Sequence, residues 1–103
     1  MTRADAIKLI KQNRSAHGVH EAATETARTV YCEVRSASRS EYYNALNAGH
    51  QPEYVFYLAV SDDYEGERLA EYRGIRYRVI RTYLTEEDGI EITVERSDVN
   101  ADE

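Results

Sequence analysis

Two histidines and a run of acidic residues are the residues in this sequence whose types and spacing most resemble a metal site. His17 and His20 are separated by two residues, and acidic side chains cluster at 62–67. A zinc site needs further converging ligands, and a calcium loop needs a glycine at its sixth place and a glutamate at its twelfth. Neither pattern is met, so we expect solvated histidines, an acidic turn, and no metal or other cofactor.

The motifs of nucleophilic catalysis and phosphate binding are missing from the sequence. It has no glycine-rich phosphate loop, no Gly-x-Ser-x-Gly turn, and no serine and histidine in a recognisable context. The single cysteine, Cys32, shares an apolar strand face with Val30 and Val34, which predicts a small buried side chain. A lone cysteine forms no internal disulfide, which suits folding inside a reducing cell. We therefore predict that the protein is not an enzyme.

Arginines recur along 73–81 and are the cationic groups best suited to bind a partner. They are Arg73, Arg76, Arg78 and Arg81. They either pair with Glu91 and Glu95 of the following segment or reach acidic groups on neighbouring copies of the chain. The planar guanidinium suits both uses because it binds a carboxylate at two points. Binding to DNA phosphates ranks last, because 19 acidic residues outnumber 13 basic ones and the net charge is −6.

Length and composition predict one small domain over residues 1–103 with a modest core. A chain of this size buries only about 60–65% of its unfolded surface. Nine residues are tyrosine and Phe56 is the only phenylalanine, which suits a thin core and interfaces, since a tyrosine ring is buried while its hydroxyl reaches water. No apolar run is long enough for a secretion signal or a membrane span, so we expect neither.

Apolar and polar residues alternate with a period of two in most of the chain, which predicts strands. The clearest pair is a hairpin at 64–83 that turns at Gly74, with Tyr77, Val79 and Ile75 facing inward and the arginines outward. Further strands are predicted at 5–11, 28–35, 53–60 and 90–96. Gly89 is expected to supply a positive φ in the last hairpin. Residues 12–27 are interpreted as a long loop or mobile hairpin tip, and 97–103 as a flexible tail.

One helix is predicted at 36–49. Ser38 and Glu41 have the spacing of a capping box, and Gly49 is a typical helix terminator. The helix either covers an open end of the sheet or presents outer residues to a neighbouring subunit. The predicted fold class is mainly β: a small antiparallel β-barrel or rolled sheet of five to six strands with one short α-helix.

The order of these segments resembles that of small tailed-phage head-closure proteins, also called head-tail joining or stopper proteins. The agreement covers roughly residues 28–96. Its motifs are Val30 to Ser36, Ser40-Glu41-Tyr42-Tyr43, Ala45 to Gly49, Tyr64-Glu65-Gly66-Glu67, Tyr72-x-Gly74-x-x-Tyr77 and Val79 to Tyr83. The resemblance implies a small β-barrel with a helix, in agreement with the pattern of strands.

The resemblance also implies a structural role in the virion. Copies would assemble as a ring under the portal and adaptor, retain the packaged DNA, and offer a surface on which the tail docks. DNA would pass through the channel without sequence-specific binding. The expected place is the neck of the virion, after folding in the cytoplasm of the host bacterium.

Site residues follow from the order of the segments and from the residue types. The candidate subunit-interface residues are Tyr43, Asn44, Asn47, Tyr57, Arg76, Arg78 and Arg81. The resemblance associates channel closure with the loop between the second and third strands, here within 36–53. The candidate residues of this partner loop are Ser36, Arg39, Glu41, His50 and Gln51. In isolation we expect a monomer or weak oligomer.

Two rival functions remain open. An oligonucleotide-binding barrel would stack bases on exposed aromatic rings beside basic groups, for which Tyr57, Tyr77 and Arg78 are the candidates. Another neck component, such as a tail-completion or adaptor protein, is the second rival, although an adaptor is expected to be mainly helical.

Overall fold

A computed structural model describes residues 3–13 and 24–97. The elements are β1 (Arg3–Asn13), β2 (Thr24–Ser36), α1 (Arg39–Asn47), β3 (Pro52–Leu58), a short 3-10 helix (Ser61–Asp63), β4 (Leu69–Tyr72), β5 (Ile75–Leu84) and β6 (Ile90–Arg96). The predicted tail lies outside the described residues except for Ser97, and so do His17 and His20.

The six strands form one closed barrel in the order β1-β2-β3-β6-β5-β4, and every neighbouring pair is antiparallel. This confirms the predicted mainly β fold with one helix. Closure gives most backbone groups a partner and leaves few exposed edges, which is how a short chain makes a stable sheet.

Side chains that alternate along the strands fill the barrel. The interior includes Ile7, Leu9, Val34, Leu58, Ala70, Ile92 and Val94. An aromatic cluster of Tyr54, Phe56, Tyr72 and Tyr77 packs among them with ring centroids 5.4–6.4 Å apart. Tyr77 is buried and the arginines of β5 are exposed, as the alternation predicts. Ile75 differs: it begins β5 beside a turn and is half exposed.

Two hairpin turns depend on positive φ angles. Arg73 and Gly74 have φ values of 55° and 79°, the pattern of a type I′ turn, which confirms the role predicted for Gly74. The prediction for Gly89 is wrong, because Asp88 carries the positive φ of 65° in the last hairpin. Gly89 is needed for space: a Cβ there would lie 2.6 Å from the Tyr57 hydroxyl and 2.8 Å from the Leu58 carbonyl oxygen.

The first two strands are longer than predicted. β1 continues to Asn13 and β2 begins at Thr24, with Asn13 opposite Thr24, so the ends of the predicted 12–27 loop are strand. Mutual hydrogen bonding of the two strands, rather than apolar alternation, extends this hairpin. Residues 14–23 lie outside the described part of the chain.

The helix is shorter than predicted and packs on the outer wall of the barrel. Ser38 and Glu41 form the capping box, which confirms it, and Gly49 has the positive φ of a helix terminator. Val55, on the outward face of β3, is fully buried although it lies outside the interior core cluster. Because α1 packs on β3, the helix covers this outward face, which corrects the expectation that it covers an open end.

An ion pair with a buried carboxylate joins β2 to the segment between β3 and β4. Arg28 lies opposite the core residue Leu9, so its side chain is on the interior face of β2. Its Nη2 atom is 2.8 Å from a carboxylate oxygen of Glu67, whose side chain is 2% exposed. Arg28 also donates a hydrogen bond to the carbonyl of Asp63. These bonds attach the segment between β3 and β4 to β2.

Candidate interaction surface

Three of the four arginines along 73–81 are paired within the chain. Arg73 lies 3.6 Å from Asp5, and Arg78 pairs with Glu95 of the neighbouring strand. Arg76 donates two hydrogen bonds of 2.9 and 3.1 Å to Glu25 on β2. The predicted pairing with the β6 glutamates therefore holds for Arg78 but not for Arg76, because the long β1–β2 hairpin brings a different carboxylate within reach.

Arg81 is the exception in this row. It is exposed and makes no ion pair with any residue in the described ranges. It lies opposite Thr93 on β6, just past a β-bulge that follows Val79. Among the three arginines of the predicted subunit interface, Arg81 is therefore the one that needs to break no ion pair within the described ranges before it binds a carboxylate elsewhere.

Glu95 is the point at which the segment after the helix is attached to the barrel. It accepts a hydrogen bond of 3.0 Å from the backbone N–H of Gln51, lies 3.1 Å from a ring nitrogen of His50, and pairs with Arg78. Its side chain is only 8% exposed. Burial raises the pKa of Glu95, but the Arg78 guanidinium, the Gln51 N–H and His50 outweigh burial and hold it below its ordinary value.

The other end of the helix is attached through Arg35. This guanidinium lies 3.5 Å from Glu41 on α1 and 3.4 Å from Glu91 on β6. Burial raises the pKa of Glu41, but the backbone N–H and hydroxyl of Ser38, together with Arg35, leave it below the ordinary value. Charged contacts therefore hold both ends of the helical segment, and no residue of α1 itself is buried.

A cleft of about 200 Å³ separates α1 from the outer faces of β5 and β6. It is lined by Glu41, Asn44, Ala45, Ala48, His50, Ile80, Arg81 and Thr93. The cleft thus combines interface candidates, Asn44 and Arg81, with partner-loop candidates, Glu41 and His50. The floor of the cleft is small and apolar, and Arg81 at its rim has no ion pair in the described ranges. The cleft is therefore suited to bind a partner that places an apolar side chain beside a carboxylate.

The other side of α1 is a shallower, open groove of about 560 Å³. Ser36, Arg39 and Tyr43 line it, together with Tyr42 and the first residues of β3. Tyr43 is 59% exposed and meets Tyr42 edge to face. Four of the five predicted partner-loop residues are therefore divided between two grooves that flank one helix, and Gln51 lines neither groove.

The remaining predicted interface residues do not share a site with these. Asn47 is exposed at the end of α1, whereas Tyr57 lies half buried on the outward face of β3. The Tyr57 ring packs against Gly89, so it is occupied in the wall of the barrel. Tyr77 is buried inside the barrel, where no base could stack on it.

Sequence reasoning missed several exposed side chains that the fold brings to the surface. Tyr31 is 80% exposed on β2, and Tyr83 and Leu84 are 53% and 66% exposed on β5. The alternation of β2 indicates an outward Tyr31. Nothing local signals the exposure of Leu84. It lies opposite the core residue Ile90, but β4 pairs with β5 only as far as Arg78 and leaves the end of β5 uncovered on that side among the described residues.

The chemistry of the described residues is limited. Burial, followed by the charges of Asp5 and Glu33, raises the pKa of Cys32 to about 12, so this thiol carries little thiolate at neutral pH. Within the described ranges no group of three His, Cys, Asp or Glu lies together as a metal site would require. Over the same ranges, no helix has the length and apolar character needed to cross a membrane.

In comparison with known proteins, no family model matches the chain and no curated protein matches it significantly.

Proposed function

We propose that this protein is a head-closure component of a tailed phage, which assembles as a ring under the portal and adaptor, retains packaged DNA and provides the surface for tail docking. The observation that carries the proposal is a closed antiparallel barrel whose connection between β2 and β3 forms a separate, largely exposed helical segment. The resemblance in sequence implies a small β-barrel with a helix and a channel-closing loop between the second and third strands, and this connection is the counterpart of that loop by its order in the chain.

The attachment of the helical segment supports a role as a partner loop. Arg35 on one side and Glu95 on the other hold it to the barrel, while α1 buries no side chain of its own. Few buried contacts oppose its displacement, so a neighbouring protein that offers better contacts is able to reposition it.

The exposed face of the helix supports the subunit contacts of a ring. Tyr43, Asn44 and Asn47 are exposed on α1, and Arg81 lies across the cleft from the helix. Aromatic residues and arginine are enriched at the centres of protein interfaces. In a ring, Arg81 of one copy would meet a carboxylate of the next.

The charge of the chain supports a wall past which DNA slides. A net charge of −6 disfavours lasting contact with phosphates. In this role the chain performs no reaction and needs no cofactor. The buried Tyr77 counts against the rival oligonucleotide-binding barrel. The presence of a single nine-residue α-helix within residues 3–13 and 24–97 counts against an adaptor.

The test is binding to purified portal–adaptor complexes, followed by light scattering and electron microscopy. The expected result is a ring of this protein on the portal–adaptor complex. Arg81→Glu should weaken ring assembly at least about tenfold, because the new carboxylate would repel the carboxylate of the next copy that Arg81 is proposed to meet. The matched control Lys8→Glu reverses an exposed charge on β1 and should assemble normally. Failure of the unmodified protein to bind any portal complex would overturn the proposal.

A further inference from the structure

The last part of β5, residues 80–84, has a neighbouring strand on only one side among the described residues. β4 pairs with β5 from Tyr72 opposite Ile75 to Leu69 opposite Arg78, and there it ends. β6 accompanies β5 further, to Leu84. The last bond on the β4 side joins the Val79 N–H to the carbonyl of Arg68 at 2.9 Å.

The free side of this strand presents backbone groups to solvent. The Thr85 N–H donates to the carbonyl of Gly89 at 2.9 Å, so Thr85 is directed toward β6. In an antiparallel pair these directions alternate, which places Tyr83 toward β6 and directs the N–H and C=O groups of Thr82 and Leu84 to the free edge. Such groups are a template on which an extended segment forms a further strand.

Two arginines stand beside this edge. A groove of about 310 Å³ lies between the loop that precedes β4 and the edge of β5, with Arg68 and Arg81 among its lining residues. Neither guanidinium makes an ion pair with a residue in the described ranges. Tyr83 and Leu84 continue the edge as exposed side chains.

We propose that residues 80–84 are a docking site for an extended acidic segment of a partner protein, which joins the barrel as an added strand and places carboxylates beside Arg68 and Arg81. Main-chain hydrogen bonds would supply affinity, and the two guanidinium groups would select acidic sequences.

The alternative occupant, the same edge of a second copy, is disfavoured by charge. Antiparallel pairing of two such edges about Thr82 would place the two Arg81 side chains on one face as diagonal neighbours, where like charges repel. The β-bulge after Val79 and a charged side chain are also features that keep edges from pairing indiscriminately. With an acidic segment as the occupant, the positive charge of Arg81 attracts the partner instead of repelling it.

The first experiment uses a fluorescent peptide of about eight residues, the length of an ordinary strand, in which valine and glutamate alternate. A matched peptide has lysine in place of glutamate. Fluorescence anisotropy with the full chain should show at least about tenfold tighter binding of the acidic peptide, with a difference that shrinks as salt is added. Amide hydrogen exchange should slow at Thr82 and Leu84 when the acidic peptide binds.

Variants separate the backbone contribution from the charge. Thr82→Pro removes an N–H directed to the free edge, a place where proline is tolerated, and should weaken binding about tenfold or more. Thr82→Ala retains the N–H and should bind within about twofold of the unmodified chain. If Thr82→Pro does not fold, Arg81→Glu decides the matter: it should abolish or reverse the preference for the acidic peptide, whereas Lys8→Glu should not.

Several results would overturn this site. They are equal binding of both peptides, undiminished binding to folded Thr82→Pro, and absence of binding. Peptide-free dimers protected at Thr82 and Leu84 would also overturn it, because the occupant would then be a second copy. The peptide assays need neither a ring nor a portal, so their outcome is independent of the head-closure role.

Discussion

Arg78 and Glu95 lie opposite each other on β5 and β6, and their side chains meet on the outer wall of the barrel. The same carboxylate receives the Gln51 N–H and faces His50. The Glu95 side chain therefore joins the wall of the barrel to the segment that carries the helix. Its loss should destabilise both the barrel wall and the attachment of that segment.

Replacing Glu95 should test this connection. Glu95→Gln removes the charge on which Arg78, Gln51 and His50 converge, and hydrogen bonds to a charged group each contribute about 1.5–3 kcal/mol. We expect a loss of about 2 kcal/mol in the free energy of unfolding, measured by urea denaturation. Glu91→Gln, in which the carboxylate contacts one arginine at 3.4 Å, is the matched control and should cost about 0.5 kcal/mol. Equal losses in the two variants would contradict the assignment.

The arginines of β5 should differ in their contributions to stability. Arg78→Ala leaves Glu95 without its guanidinium partner while it is still largely buried, which should cost about 1–2 kcal/mol. Arg81→Ala removes an exposed side chain that has no ion pair in the described ranges, and should change stability by less than about 0.5 kcal/mol. Thermal unfolding of both variants checks this, and a larger loss for Arg81→Ala would contradict the absence of an ion-pair partner for Arg81.

Acid should destabilise the fold through its buried carboxylates. Burial raises the pKa of Glu67, but the backbone N–H groups of Glu65 and Glu67 and the Arg28 guanidinium outweigh it, and the pKa of Glu95 is lowered likewise. A carboxyl group whose pKa is lower in the folded state stabilises the fold above its unfolded pKa of 4.5, and this contribution is lost as pH falls through the folded value.

The thermal midpoint should therefore fall steeply below about pH 4.5. A double variant, Glu67→Gln with Glu95→Gln, should be less stable at pH 7 and show a shallower fall in acid. An unchanged slope in the double variant would show that other groups govern the acid transition.

Gly89 should resist substitution because of space. In Gly89→Ala the new methyl group would lie 2.6 Å from the Tyr57 hydroxyl and 2.8 Å from the Leu58 carbonyl, so we expect a loss of about 2–3 kcal/mol. Gly66→Ala is the control: it meets nothing within 4 Å and is opposed only by its φ of 85°, at a cost of about 1 kcal/mol. Adding Tyr57→Phe should recover only part of the loss, because the backbone oxygen remains. Full recovery would point to the hydroxyl alone.

The thiol of Cys32 should be inert in the folded protein. Burial raises the pKa of the thiol to about 12 from the ordinary 9.0. At pH 8 the reagent therefore has little access to the sulfur, and very little of the thiol is ionised. Alkylation at that pH should be at least about a hundredfold slower than in denaturing urea, in proportion to the lost thiolate. Rapid alkylation under native conditions would show that β2 opens far more readily than its pairing with β1 and β3 implies.

Local patterns were sufficient to predict most elements. The turn at Gly74, the capping box of Ser38 with Glu41, and the inward direction of Tyr77 all depend on residues a few positions apart, whose interactions exist wherever the segment is placed. The helix and strand boundaries were less accurate, because hydrogen bonding to a neighbour, not alternation, determines where β1 and β2 end.

The individual residues of the candidate site were predictable from the sequence, but their arrangement around one cleft was not. Glu41, Asn44, His50 and Arg81 were singled out separately, on a helix, a connecting loop and a strand. Nothing within any one segment indicates that they line one cleft, because that depends on which outer face of the barrel the helix covers.

By itself, then, the sequence determined the strands, their inward faces, the helix and its cap, since these follow from period, turn chemistry and capping between near neighbours. Only the tertiary structure decided that Arg76 meets Glu25, that Glu67 pairs with Arg28, that Gly89 is required for space, and that β5 extends beyond its pairing with β4. The reason is physical: these features depend on how six strands are staggered when they close into a ring, and that stagger is set by packing across the whole barrel.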